Sequence, residues 1–355
     1  MTMMKLLDNK IAMFVVLSMS MMIAQVESEH KFWFVIRDVS KMVAIAVGLF
    51  LVHLVQHWNR SESILYNLFC LIAAPVFKME QLLDNSVDEQ QAFLEKLTKQ
   101  GEQNSSEGAA KMHGKDYWEA SYGLNKTRVV ELTVPSSYED GYQVPVIVAS
   151  PSSSQTEEEG LPIVFYMFGG GLVMGSVKQE LVFIRHMAKE ANVVVVGIDY
   201  RTSPKYPYPI PLQDSLEAAI GILEKKVSLE DALKQKINFD KIATWGMSAG
   251  GYQSAHLARR LTEKGYKLKC QISLVPMVKP FGGTKSMIRN WAAPTWSGPN
   301  NTYAWASFLA GDDGTLAADW KVSLLVNPPE TVVRNLPPTF IQISTKDVLR
   351  DEGEM

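Results

Sequence analysis

Apolar and polar positions divide the chain into three stretches. The first carries apolar runs at 11–24, 42–55 and 64–77, each short of the ~20 residues that cross a bilayer as a helix. Arg37, Asp38 and Lys41 interrupt the longer window. Three such runs without amphipathic relief predict a membrane-associated region over 1–78, either spanning or lying in the interface. Helices buried against the rest of the chain are the alternative. Residues 84–99 are polar and helix-prone and 101–106 reads as a linker, so 79–125 is expected to be a helical cap or linker. Beyond 126 the periodicity alternates. Residues 128–134, 144–149, 163–167, 193–198, 242–245 and 339–344 have strand character, while 212–225 and 251–264 have helical spacing. This alternation predicts an α/β fold whose sheet is mostly parallel, flanked by helices and antiparallel at its start.

Composition narrows the function. The 355 residues carry a net charge of -3 with both signs intermixed, and 46% are hydrophobic. The core is amply supplied, and no basic surface suggests nucleic acid. Cys70 and Cys270 are too few for a disulfide framework or a metal site and are read as packing residues. No metal or cofactor is implied. Asn59, Asn104, Asn125 and Asn300 each open an N-x-S/T sequon, which matters only for lumenal chain.

Candidate chemistry centres on Gly246-Met247-Ser248-Ala249-Gly250, with strand-like residues before it and a helical run after it. A G-x-S-x-G joining strand to helix makes a tight elbow that lifts the serine hydroxyl clear of the sheet. Phe168-Gly169-Gly170-Gly171 follows the strand at 163–167. Acyl transfer through a serine needs preorganised donors for the oxygen that becomes negative, and consecutive glycines present bare N–H groups. Either motif alone could be an ordinary glycine turn; both at strand ends, in this order, point to a nucleophile and its oxyanion cradle.

These two motifs, with Asp199-Tyr200-Arg201-Thr202-Ser203-Pro204 and Asp347-Val348-Leu349-Arg350-Asp351-Glu352-Gly353, resemble the hormone-sensitive-lipase family. That family of α/β-hydrolases includes arylacetamide deacetylases and many carboxylesterases, and the resemblance runs from about Val129 to the C-terminus. It implies an α/β-hydrolase domain over 126–355 with a cap insertion at about 277–327. It also implies Ser248 as nucleophile, Asp347 as triad acid, and an oxyanion hole from Gly170, Gly171 and Ala249. The implied activity is hydrolysis of carboxylic esters with small to medium acyl chains. The alternative is a non-catalytic, receptor-like protein that binds a small molecule in the same pocket. Membrane association, for example with the endoplasmic reticulum, is the corresponding location.

The pattern has departures. The triad histidine expected after the acid does not occur, and the final strand and helix of the fold are absent. The chain is therefore expected to be a C-terminally truncated hydrolase with impaired activity. His256 lies about 12 Å along the helix that Ser248 opens, too far to serve as its base. His30, His53, His57, His113 and His186 inherit no role. Phe168 stands where the family usually has histidine, so the glycine loop is expected to be held by apolar packing. Met247 and Lys205 replace the usual aspartate and glutamate. Asp199 and Arg201 are expected to tie a loop together rather than to do chemistry. Trp291, Trp296, Trp305 and Trp320, within 277–327, are either cover over the site or core.

Overall fold

The computed structural model describes residues 79, 82, 85–103, 123–152, 159–280, 282–291, 293, 295–310, 312 and 314–355. These belong to the compact unit Val76–Met355. The apolar runs of 1–78 lie outside the described residues. Among the described residues no helix is long and apolar enough to cross a membrane.

Seven strands form one sheet: β1 (Thr127–Pro135), β2 (Gln143–Pro151), β3 (Leu161–Met167), β4 (Val194–Ile198), β5 (Ile237–Met247), β6 (Leu268–Leu274) and β7 (Thr339–Gln342). Their spatial order is β1-β2-β4-β3-β5-β6-β7. β1 pairs antiparallel with β2, and β2 with β4; every later pairing is parallel. The antiparallel start and parallel remainder are those expected from the alternation of strands and helices. Every residue of β4 is buried, as in the interior of a parallel sheet covered on both faces.

The helices are α1 (Val87–Gln103), α2 (Leu181–Ala191), α3 (Ile210–Leu223), α4 (Leu229–Leu233), α5 (Ala249–Glu263), α6 (Lys285–Arg289), α7 (Gly298–Leu309), α8 (Glu330–Val333) and α9 (Arg350–Glu354). The crossover β3-α2-β4 steps one way along the sheet, whereas β4-α3-β5 and β5-α5-β6 step the other way. Right-handed crossovers then place α2 on one face and α3 with α5 on the opposite face, and α3 packs against α5. Adjacent strands β3 and β5 therefore send their chains to opposite sides. The crevice at their C-terminal ends is the switch point where α/β sheets bind ligands. Both glycine motifs leave the sheet there.

Two expectations are revised. α1 does not give way to a linker at Gly101 but runs on to Gln103. β5 starts at Ile237, with an irregularity in its pairing before Ala243. Of the sequons, Asn125 is exposed and Asn300 is buried, its Oδ1 accepting the Met79 N–H at 3.3 Å. Asn59 and Asn104 lie outside the described residues.

Candidate active site

β5 ends at Met247, and Ser248 turns the chain into α5 with φ 57° and ψ -121°, a left-handed conformation rare for a residue with a side chain. The turn is braced by the Ser248 N–H donating to Leu274 O (2.8 Å) and by Ser248 O accepting the N–H groups of Tyr252 (3.1 Å) and Met277 (3.2 Å). A methyl group on residue 250 would lie 2.1 Å from Met167 O, so glycine there lets α5 start directly against the end of β3. Ser248 stays partly exposed, while Ala249 is fully buried in the first turn of α5. A helix N-terminus favours negative charge.

The glycine loop wraps in front of this elbow. Gly170 has φ +118°, and a Cβ there would meet Met174 O at 2.0 Å, so only glycine fits. At Gly169 a Cβ would lie 3.5 Å from Ser248 Cβ, which puts the loop against the serine. Phe168 is buried and stacks on Tyr200 (centroids 4.0 Å apart, planes 4° apart), and the Tyr200 hydroxyl donates to Phe168 O at 2.8 Å. Apolar packing thus holds one side of the loop, but it does not act alone. Glu180 Oε1 accepts the Gly169 N–H at 3.5 Å, and the Tyr166 hydroxyl donates to Glu180 Oε2.

Ser248, Gly169, Gly170 and Asp347 line one cavity of about 410 Å³. Asp347 follows β7 by a short loop; its Oδ1 accepts the Leu349 N–H (3.0 Å) and its carbonyl accepts Asn290 Nδ2 (3.0 Å). Burial raises its pKa, while the Leu349 and Val348 N–H groups pull it back down. Gly171 and Ala249 are not among the residues that line the cavity; the Trp296 indole lies against Gly171, where a Cβ would meet its Cη2 at 2.2 Å. Of the four tryptophans, Trp296 lines the cavity, Trp305 is core, Trp291 is 45% exposed and Trp320 is half-buried.

His256 is buried on α5, its Nε2 2.7 Å from Lys321 O, and burial drives its pKa down to about 3. It is a packing residue. His186 lies on α2, and neither of these two histidines lines the cavity. Asp199 and Arg201 tie loops, as expected. Asp199 Oδ1 accepts the Val177 N–H (2.9 Å), and Arg201 pairs with Asp214 (2.8 Å) and Glu139 (2.6 Å). Among the described residues no cluster of His, Cys, Asp and Glu could hold a metal.

Leu97, Thr98, Met174 and Glu180 also line the cavity and carried no sequence signal. They come from α1, the glycine loop and the turn before α2, which only folding brings to β5.

Fold and site geometry together describe an α/β hydrolase, and comparison with known proteins agrees. The family described as "alpha/beta hydrolase fold" matches residues 164–355, and the "Carboxylesterase family" matches 96–204. The chain belongs to the alpha/beta hydrolase fold family. It is similar to the arylesterase of Saccharolobus solfataricus, 27% identical over 227 residues (61% of this chain, 66% of that one). Similarity to carboxylesterase NlhH of Mycobacterium tuberculosis is 29% over 231 residues (65% and 68%). A putative alpha/beta hydrolase of Acanthamoeba polyphaga mimivirus, R526, is 27% identical over 195 residues (55% and 54%). The chain thus spans about half to two-thirds of the length of these curated relatives. Among solved structures, a hyperthermophilic esterase from the archaeon Pyrobaculum calidifontis superposes with a TM-score of 0.63 at 25% identity, over 82% of each chain.

Proposed function

We propose that this protein is a serine hydrolase of carboxylic esters, of the hormone-sensitive-lipase type, acting through an acyl-enzyme. The observation that carries the reading is the meeting of Ser248, the glycine loop and Asp347 on one cavity. Ser248 Oγ attacks the ester carbonyl, and the N–H groups of Gly170, Gly171 and Ala249 take the charge on its oxygen. The alcohol leaves, and water then releases the acid. Asp347 would orient a general-base histidine to take the Ser248 proton; the 355 residues carry none after Asp347, so hydrolysis by this chain is expected to be impaired. A cavity of this size with apolar walls, Leu97, Met174 and Trp296 among them, suits neutral esters of small to medium acyl length.

A second reading follows from one observation: neither described histidine lines the cavity. A serine without its base is a poor nucleophile, and losing the histidine of such a triad costs about six orders of magnitude in turnover. On that reading the cavity binds a small ester-like molecule without cleaving it. The two part on reaction of the 355-residue chain with a fluorophosphonate, followed by peptide mapping. Labelling at Ser248 that disappears in Ser248→Ala supports the hydrolase; no labelling, the outcome for a receptor and equally for a hydrolase without its histidine, counts against turnover by this chain.

Membrane association, with the endoplasmic reticulum as the location, is proposed from the apolar runs within 1–78. Retention in the membrane pellet after alkaline carbonate wash tests it; release into the supernatant counts against it.

A further inference from the structure

Three consecutive glycines have no strong conformational preference of their own, so contacts from outside must select the one arrangement that the loop adopts beside Ser248. On one side Tyr200 supplies stacking and a hydrogen bond to Phe168 O. Further along, Thr98 Oγ1 accepts the Gly175 N–H at 3.0 Å. Just ahead of the two glycine donors, the contact is a carboxylate. Glu180 ends the 3-10 turn Val177–Glu180, takes the Gly169 N–H on Oε1, and is held through Oε2 by the Tyr166 hydroxyl. Tyr166 is itself fully buried on β3, with its ring against Phe183 (5.7 Å) and Trp245 (6.4 Å), so its phenol cannot swing away.

A carboxylate in this place is costly. Burial raises the Glu180 pKa, and the bonds from Tyr166 and Gly169 lower it again. Space-filling alone would be served by an apolar side chain, as Phe168 serves on the other side. A charged acceptor does what an apolar one cannot, because it fixes the direction of a particular N–H bond.

We propose that Glu180, anchored by Tyr166, is a positioning residue of the oxyanion loop: by accepting the Gly169 N–H it orients the peptide units of Gly170 and Gly171 toward Ser248. The proposal rests on the reading of that loop as the oxyanion cradle. Glu180 has no contact with the reacting atoms in this role. The other ionisable groups around it are the Tyr166 and Tyr200 phenols, both held well above their usual range by burial. Asp199, Glu102 and Lys178 flank the turn, and Asp347 shares the cavity.

The test is amide hydrogen exchange of the full chain, followed on peptides covering 168–175 from pH 4.5 to 8 after correction for intrinsic rates, in wild type, Glu180→Ala and Glu180→Gln. Glutamine keeps the acceptor for Gly169 and can donate to the Tyr166 hydroxyl, but does not titrate. Glu180→Ala is expected to speed exchange of these peptides by about tenfold or more, while Glu180→Gln stays close to wild type. Protonation weakens the carboxyl as an acceptor, so wild-type protection falls as pH drops through the Glu180 titration; Glu180→Gln lacks that step. Exchange in Glu180→Ala equal to wild type overturns the proposal. So does an acid step that survives in Glu180→Gln, or a rise shared equally by peptides of β4, which reports loss of the fold. Fluorophosphonate labelling of Ser248 in the same variants is expected to slow as the loop opens, and an unchanged rate with an opened loop also overturns it. Absence of labelling in every form, wild type included, counts instead against the Ser248 chemistry, and the exchange result still decides the role of Glu180.

Discussion

A methyl group on residue 250 would stand 2.1 Å from Met167 O and 2.6 Å from Phe168 O. Both are backbone atoms that cannot rotate aside, so Gly250→Ala must push α5 away from β3. The expected loss is about 2–3 kcal/mol, seen as a lower urea midpoint at an unchanged slope; a midpoint equal to wild type would show that α5 does not seat where it is placed here. At this scale the sequence is readable where a motif names its own geometry. G-x-S-x-G and the glycine triplet announced their turns. Glu180 did not, because its importance lies in the Gly169 N–H it accepts eleven residues back, and for Trp296 the sequence left cover and core open until its contact with Gly171 was seen.

Among the elements, α1 shows how contacts alter a local pattern. Ser86 and Glu89 form a capping box: the Ser86 N–H donates to Glu89 Oε2 (3.0 Å), and the Glu89 N–H donates to Ser86 Oγ (3.4 Å). Ser86→Ala is expected to weaken the first turn of α1 by about 1 kcal/mol, with faster amide exchange over 87–94 and no change in β4; unaltered exchange would contradict it. At the other end, Gly101 suggested a break, since glycine costs about 1 kcal/mol in a helix. The helix continues because Gln179 packs where a Gly101 side chain would be and donates through Nε2 to Thr98 O at 2.7 Å. Most strands and long helices were legible from periodicity. The extent of α1 was not, since its last turn is stabilised by the turn before α2 rather than by its own residues.

For the whole molecule, two buried groups on α5 and α9 set opposing pH dependences. Glu352 is 1% exposed and burial lifts its pKa from 4.5 to about 7. The folded state then holds a proton that the unfolded state has lost, so its contribution to stability falls as pH rises from 4.5 to about 7. His256 moves the other way: its pKa drops from 6.5 to about 3, the unfolded state binds the extra proton, and stability rises with pH across that window. Between 4.5 and 6.5 the two oppose each other. Glu352→Gln is expected to stabilise the chain at pH 8 by roughly 3 kcal/mol relative to wild type and to lay bare the acid sensitivity of His256, both read from melting temperature against pH. A variant that tracks wild type at every pH would sink this account.

The sheet edge makes a second prediction at this scale. All of β7 is exposed, with Phe340 at 58% and Ile341 at 48%, and among the described residues β6 is its only strand partner. An open apolar edge invites pairing between chains. Ile341→Lys should lower light scattering at equal concentration, and scattering equal to wild type would locate the association elsewhere. The amino-acid order by itself determined the fold class, the antiparallel start of the sheet and the elbow at Ser248, because periodicity and glycine chemistry act over a few neighbouring residues. Only the tertiary structure decided that Ser248, Gly170 and Asp347 share a cavity and that a carboxyl and a phenol hold the glycine loop. Those relations join residues from about ten to nearly two hundred positions apart, and the direction of the crossovers at β3 and β5 brings the site residues together.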